Sequence, residues 1–207
     1  MRIFLNGKVV VEPKCINIFE NGDKLYECYI ENKRTSGKID TLRVTYINND
    51  IHKDYFIDII GDVRSIKLKD KESCVFVHAR HIDIIDVLEK LEDYRNIIID
   101  KGVVSRDIVF RTTFSGLPIA DMYVKVNRNN NKFSYIYCSV WSDNIDKCKD
   151  LKVGDIVDIV GRLHSRKING NFISEVLVMK LRKGDNTIVE GSNKERWKDS
   201  EVLTTKD

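Results

Sequence analysis

The sequence predicts a mainly β protein made of two consecutive five-stranded barrels, joined by a short helix. Its 207 residues suit two domains of roughly 100 residues each. A long-period repeat relates the two halves, and each half contains short segments in which apolar and polar residues alternate between turns. Apolar residues make up 42% of the chain and charged residues 32%, which is enough to bury a core.

The repeat is clearest at the start of each half. Residues 7–12 begin with Gly and a run of Val, and residues 102–107 repeat this pattern 95 positions later. Asn32 and Asn127 are separated by the same 95 positions, and each ends an alternating segment. These matches predict that the first two strands of the halves are equivalent.

A second match lies later in each half. Residues 59–65 return as residues 159–165, now at a separation of 100. We place the five extra residues at 144–151, where apolar residues have helical spacing and Gly154-Asp155 marks a stop. The second half should therefore contain a helix between its third and fourth barrel strands, which we place at 134–141 and 155–166.

Strand boundaries follow from the alternation and the turn residues. In the second half we predict strands at 97–105, 108–114, 119–128, 134–141, 155–166 and 172–181. A small antiparallel barrel with one helix between strands three and four is the OB-fold. The predicted divisions are a first OB-fold at 1–82, a linker at 83–95, a second OB-fold at 96–183 and a polar tail at 184–207. The linker is predicted as a short helix, with a β-extension as the alternative.

Charge differs between the predicted domains. Residues 1–95 contain 16 basic and 17 acidic residues, whereas residues 96–183 contain 15 basic and 9 acidic residues. The tail carries 4 basic and 6 acidic residues. A polyanion should therefore be attracted to the second domain.

Cysteine usage and hydropathy point to the cytoplasm. The five cysteines are an odd number without a C-x-x-C pair, which is typical of buried thiols in a reducing compartment. No segment approaches the roughly 20 apolar residues that a membrane helix needs. Residues 1–7 are too short for a secretory signal. We expect a cytoplasmic protein without a membrane association.

Catalysis has little support in the sequence. None of the common hydrolase, metalloprotease or P-loop motifs occurs, and the acidic residues are dispersed. His78 and His81 are three positions apart on a predicted strand, so they face opposite sides. We predict no enzyme activity, no metal and no cofactor.

The strand at 134–141 predicts a binding surface. Ile136, Cys138 and Val140 would face the barrel interior, which leaves Tyr135, Tyr137 and Trp141 on the outer side. Aromatic rings on an exposed sheet face can stack on nucleic-acid bases, and each stacked base contributes about 1–3 kcal/mol. The alternative is that these rings pack under a loop or in a subunit contact.

Basic residues on neighbouring strands favour the nucleic-acid interpretation, since a cationic groove commonly accompanies stacking. The predicted DNA-binding residues are Arg111, Tyr123, Lys125, Arg128, Tyr135, Tyr137, Trp141, Arg162, His164, Arg166 and Lys167.

The first half lacks this combination. Asp62 stands where Arg162 stands in the second half, and its third strand has no aromatic trio on one face. A structural or oligomerising role fits the first domain as well as DNA binding. Residues that could still contact phosphate there are Lys33, Arg34, Arg43, Arg64 and Lys67.

Residues 102–181 resemble bacterial single-stranded DNA-binding proteins, which are OB-folds. The segments that carry the resemblance are 111–120, 126–128, 135–141 and 154–166. Residues 33–40 resemble the first domain of the tandem OB-fold versions found in clostridia-like bacteria.

The sequence departs from this family at three places. Ser142-Asp143 follow Trp141 where small residues and a Gly are common, and Ile168 stands where many members have an aromatic residue. Residues 204–207 lack the acidic tail with a terminal Phe that recruits protein partners. We therefore do not expect that partner-recruiting mode.

The resemblance implies a protein that coats and protects single-stranded DNA during replication, recombination or repair. It also implies a homodimer, since members commonly assemble four OB-folds. The alternative is an OB-fold adaptor for protein partners, similar to a primosome component, with weak nucleic-acid binding. RNA binding stays open from the sequence.

Overall fold

The structure, a computed structural model, describes residues 1–67, 73–85, 94–128, 132–168 and 170–184. The elements in this part of the chain are β1 (Arg2–Val9), β2 (Lys14–Ile18), β3 (Lys24–Lys33), β4 (Ile39–Ile47), β5 (Phe56–Lys67), β6 (Ser73–Ile85), β7 (Asn96–Val104), β8 (Val109–Thr112), β9 (Pro118–Arg128), β10 (Lys132–Trp141), α1 (Asn144–Lys149), β11 (Ile156–Ile168) and β12 (Asn171–Lys183). The predicted strands of the second half are confirmed, with ends that differ by at most two residues.

Each half closes into a five-stranded barrel. In the first half β1 pairs with β3 and β5, β3 pairs with β4, β4 pairs in parallel with β6, and β6 pairs with β5. β7, β9, β10, β12 and β11 repeat this circuit in the second half. β2 and β8 extend β3 and β9 as two-stranded arms. The OB-fold prediction is confirmed, with α1 between β10 and β11.

Alternation along the strands fills the barrels. In β10 the side chains of Ile136, Cys138 and Val140 are fully buried, as the sequence predicts. In β11 the buried residues are Val157, Ile159 and Leu163. Each such side chain contributes about 1.5–3 kcal/mol by leaving water. The outer side chains of the same strands are thereby left for other contacts.

The two barrels are joined by strand pairing. β1 and β7 are antiparallel, with Ile3 opposite Ile98, Phe4 opposite Ile97, and Leu5 opposite Asn96. Ile98 lies 95 positions after Ile3, which is the separation of the repeat. The pairing is therefore symmetric about this residue pair, and a pseudo-twofold axis relates the barrels. All twelve described strands form one continuous sheet.

The register corrects one detail of the sequence alignment. Lys8 pairs with Glu31 and Val103 with Lys125, so β3 and β9 are equivalent at a separation of 94 rather than 95. The counterpart of Asn32 is thus Val126, not Asn127. Since a shift of one residue reverses the face, Asn32 is buried inside whereas Asn127 is exposed.

The boundary between the barrels is only partly described. β6 continues to Ile85, so three residues of the predicted linker at 83–95 extend this strand. β7 begins at Asn96. The remainder of the predicted helix, residues 86–93, and the tail beyond residue 184 lie outside the described residues. No helix in the described part is long and apolar enough to cross a membrane.

Both barrels contain a bulge at the same position of the repeat. The register shifts between Ile60 and Gly61 and again between Val160 and Gly161. A Cβ atom on Gly61 would lie 2.6 Å from the carbonyl oxygen of His78, and one on Gly161 would lie 2.7 Å from that of Leu177. The facing backbone therefore requires glycine at both sites.

We predict that Gly161→Ala lowers the free energy of unfolding by about 1–3 kcal/mol, because the facing backbone must move to accept the methyl group. Urea denaturation followed by circular dichroism would measure this. Lys180→Ala, an exposed change on β12, serves as the control and should alter stability little. Equal stability of Gly161→Ala and the native chain would contradict the close approach.

Candidate nucleic-acid interface

The outer sides of β9 and β10 carry a group of aromatic residues. We call Tyr123, Lys125, Phe133, Tyr135 and Tyr137 the aromatic face. The strand register places Tyr137 opposite Tyr123 and Tyr135 opposite Lys125. The rings of Tyr123 and Tyr137 lie 5.4 Å apart between centroids, tilted by 53°. Tyr135 and Phe133 are 47% and 43% exposed, so their ring surfaces are open to a base.

Cations lie directly on these rings. Lys125 Nζ is 3.9 Å from the ring centre of Phe133, and Arg106 Cζ is 4.6 Å from that of Tyr123. A face with interleaved rings and cations can hold bases and phosphates together. Sequence reasoning missed Phe133 and Arg106. The alternation that selected Tyr135 and Tyr137 would have reached Phe133 if continued one step back.

An acidic residue organises one edge of the aromatic face. The Tyr137 hydroxyl donates to Asp121 at 2.8 Å, and the Arg111 guanidinium donates to the same carboxylate at 2.6 and 3.0 Å. Burial and the neighbouring carboxylate raise the pKa of Tyr137 above its usual value. Arg111 is thus held in an ion pair, and its positive charge is partly cancelled at this edge.

Trp141 is set apart from the tyrosines. Ser139, which separates them on the outer side of β10, is fully buried. Trp141 is half-buried, and its indole N–H has no hydrogen-bond partner among the described residues. The structure therefore brings together two of the three predicted aromatic residues of this strand.

Two predicted cations lie in the contact between the barrels. Asp40 of the first barrel is completely buried, and its carboxylate accepts hydrogen bonds from Arg34 Nε at 2.6 Å and Arg162 Nη1 at 3.3 Å. The main-chain N–H of Ser165 also donates to it, at 2.8 Å. We call these four residues the inter-barrel clamp. Arg34 and Arg162 thus have this carboxylate as their partner.

The electrostatics of the clamp favour the charged carboxylate. Burial alone would raise the pKa of Asp40, but the hydrogen bonds from Arg34 and the Ser165 N–H outweigh it, and the pKa lies below its ordinary value. Both arginines keep their charge at any physiological pH. The clamp is therefore a fully ionised group whose stability depends on all of its members.

The hairpin of β11 and β12 lies against the first barrel. The ring of Phe172 is 6.3 Å from that of Tyr29 on β3, and Lys167 Nζ is 5.6 Å from the Phe172 ring. His164 Nδ1 lies 3.3 Å from a carboxylate oxygen of Glu175. Arg166 is exposed at this hairpin.

The remaining predicted residues differ in exposure and in partners. Arg128 and Arg64 are half-buried, and Lys33 is exposed at the end of β3. Arg43 is held by Glu27 at 2.7 Å and lies over the ring of Phe76. The side chain of Lys67 lies outside the described residues.

The corresponding face of the first barrel has a different chemistry. By register, Tyr29 replaces Tyr123, but Arg43, Thr41 and Glu31 stand where Tyr137, Tyr135 and Lys125 stand in the second barrel. Ile39 stands where Phe133 stands, so at these positions the first barrel offers one ring where the second offers four, and an acid where it offers a lysine. The described residues of both barrels contain no group of His, Cys, Asp and Glu that could hold a metal ion.

Comparison with known proteins gives a family match for the second barrel and structural matches for both barrels. Residues 95–172 match the model of the Single-strand binding protein family. The single-stranded DNA-binding protein from Thermus aquaticus is 19% identical, with a TM-score of 0.72, and the match covers 92% of this chain and 96% of that one. A deletion mutant of the Thermus aquaticus protein, also 19% identical, matches with a TM-score of 0.71 over 94% of this chain and 97% of that one. No curated protein sequence matches. The structural likeness spans both barrels and is a likeness of fold.

We predict that Asp40→Asn destabilises the protein by about 2–4 kcal/mol at pH 7, because it leaves two arginines without their buried counter-charge. A carboxylate with a lowered pKa stabilises the fold above its unfolded pKa, and this contribution is lost as pH falls through the folded value. The difference in the free energy of unfolding between variant and native chain should therefore become smaller below pH 3.8, the ordinary pKa of aspartate.

Urea denaturation between pH 3 and 7 would measure this difference. Asp54→Asn is the matched control, because it removes an exposed carboxylate that pairs with Lys8, and it should have little effect. If the free energy of unfolding lost in Asp40→Asn is the same at every pH in this range, the charged clamp is excluded.

Proposed function

We propose that residues 95–172, which match the model of the Single-strand binding protein family, form a single-stranded DNA-binding domain, and that the chain coats and protects single-stranded DNA through the aromatic face. The observation that supports this use of the face is the combination of open rings at Phe133 and Tyr135 with cations lying on the same side. Base stacking tolerates any sequence, as coating during replication, recombination or repair requires.

The division of labour between rings and cations follows from their geometry. The exposed rings of Tyr135 and Phe133 stack on bases. Tyr123 and Tyr137 are half-buried, and their rings pack against each other next to these two residues. Lys125 and Arg106 lie on the same side as these rings and contact phosphates. Binding should weaken with salt, because each neutralised phosphate of a single strand contributes about 0.7 to the slope of log affinity against log salt.

We further propose that two copies of the chain associate. The outer side of the central strands carries an apolar stripe, consisting of Ile60, Phe4, Ile97, Ile99 and Val160, with the isoleucines 41–45% exposed. These residues are neighbours across four strands, since Ile60 pairs with Phe4, Phe4 with Ile97, and Ile99 with Val160.

The pseudo-twofold axis passes through the centre of the apolar stripe, because β1 and β7 pair symmetrically about Ile3 and Ile98. A surface with this symmetry can contact the same surface on a second copy, as closed dimers require. The resulting dimer would contain four barrels and leave the aromatic faces outside the contact.

We predict that Tyr135→Ala weakens binding to oligo(dT) by about five- to hundredfold, which corresponds to the loss of one stacked base. Tyr55→Ala, which removes a similarly exposed tyrosine of the first barrel, is the control and should keep the native affinity. Fluorescence titration at fixed salt would measure both. Native affinity in Tyr135→Ala would remove this residue from the interface.

We predict that Ile97→Glu converts the dimer into a monomer, because it places two carboxylates in an apolar contact. Sedimentation equilibrium would report the mass of native and variant chains, with circular dichroism to show that the variant is folded. A native chain that sediments as a monomer at micromolar concentration would exclude the proposed dimer.

A further inference from the structure

The pseudo-twofold axis creates two equivalent junctions between the barrels, and they differ in charge. One junction contains the inter-barrel clamp, with Asp40 between Arg34 and Arg162. At the separation of 94 that relates β3 to β9 and β4 to β10, Arg128 corresponds to Arg34, and Ser134 corresponds to Asp40. The second junction thus keeps this arginine, has a hydroxyl in place of the carboxylate, and has Asp62 in place of Arg162.

Three polar atoms at the second junction have no protein partner. Arg128 Nε, Ser134 Oγ and Arg64 Nε are all buried, and none is hydrogen-bonded within the described residues. Arg64 comes from β5 of the first barrel, which packs against β10 of the second. These atoms therefore belong to different barrels but to the same junction.

The nearby acid, Asp62, is shared between Arg80 and Arg64. Asp62 accepts a hydrogen bond from Arg80 Nε at 2.6 Å and is thus already paired. Burial and the positive charge of Arg128 lower the pKa of Arg64, and the negative charge of Asp62 only partly opposes this. His78, close to both, is neutral at pH 7, because burial and Arg64 lower its pKa to about 4.

Buried donors and half-buried cations need an acceptor with negative charge. The first junction supplies a carboxylate from the chain itself. The second junction offers two guanidinium groups and a hydroxyl, which is the donor set that holds a phosphate oxygen. Ser134 lies between Phe133 and Tyr135 in β10, and its buried side chain is on the opposite side of the strand from these rings, so this junction and the aromatic face share the same end of β10.

We propose that Arg64, Arg128 and Ser134 form an anion site that binds one backbone phosphate of single-stranded DNA where the strand leaves the aromatic face and reaches the first barrel. This rests on the proposed function and adds to it a contact made jointly by both barrels. It also gives the first barrel a part in binding, although its own face lacks the aromatic residues.

The test makes the second junction resemble the first. Ser134→Asp places the carboxylate of that junction into the second one, where it should bind Arg128 in the way that Asp40 binds Arg34. We expect the unfolding temperature to stay the same or rise, while affinity for a 30-nucleotide oligo(dT) falls about tenfold. The slope of log affinity against log salt should decrease by about 0.7, the contribution of one phosphate.

Ser134→Asn is the matched variant, because asparagine has the size of aspartate without its charge. It should weaken binding by about twofold and keep the native salt slope. Arg128→Gln should reproduce the loss of slope seen with Ser134→Asp. If the aspartate and asparagine variants weaken binding equally, or if neither changes it, the contact between this site and a DNA phosphate is excluded.

A second measurement separates this inference from the function on which it rests. Inorganic phosphate should raise the unfolding temperature of the native chain but not that of Ser134→Asp. Failure of the native chain to bind oligo(dT) would overturn the proposed function. Normal oligo(dT) binding by Ser134→Asp, together with loss of the phosphate effect, would overturn only the assignment to DNA, because the site would then take free phosphate.

Discussion

The antiparallel pairing of β1 with β7 determines how every other part of the molecule is arranged. Three residue pairs around Ile3 and Ile98 turn two closed barrels into a continuous sheet. Beside this pairing, the buried side chain of Asn32 donates to the main-chain carbonyls of Asn6 and Arg95, both at 2.9 Å. These buried hydrogen bonds fix the register, because an unsatisfied amide there would cost about 1–3 kcal/mol.

Because the pairing is symmetric, it places each barrel's long hairpin against the other barrel. The hairpin of β11 and β12 reaches β3 and β4, which brings Phe172 to Tyr29 and Ser165 to Asp40. By the same symmetry, β5 and β6 reach β10. Both junctions therefore exist only within the joined pair of barrels.

Much of this could be predicted from the sequence, and the limits have physical causes. Alternation in β10 identified both the buried Ile136 and the outward Tyr135, because the period of a strand is a local property. The bulge glycines Gly61 and Gly161 revealed the repeat for the same reason. Contacts between barrels are not local. Arg162 has the pattern of an outward cation on its own strand, and only the joined barrels bring it to Asp40, 122 positions earlier.

A covalently linked pair of barrels differs from a pair of separate identical chains in what mutation can do. In identical chains, any substitution at a junction would occur twice, so an ion pair gained at one junction would also be imposed on the other. Here Asp40 and Ser134 occupy equivalent places but are encoded separately. A substitution at one junction therefore leaves the other unchanged, and the two junctions of one molecule can differ in charge, as they do here.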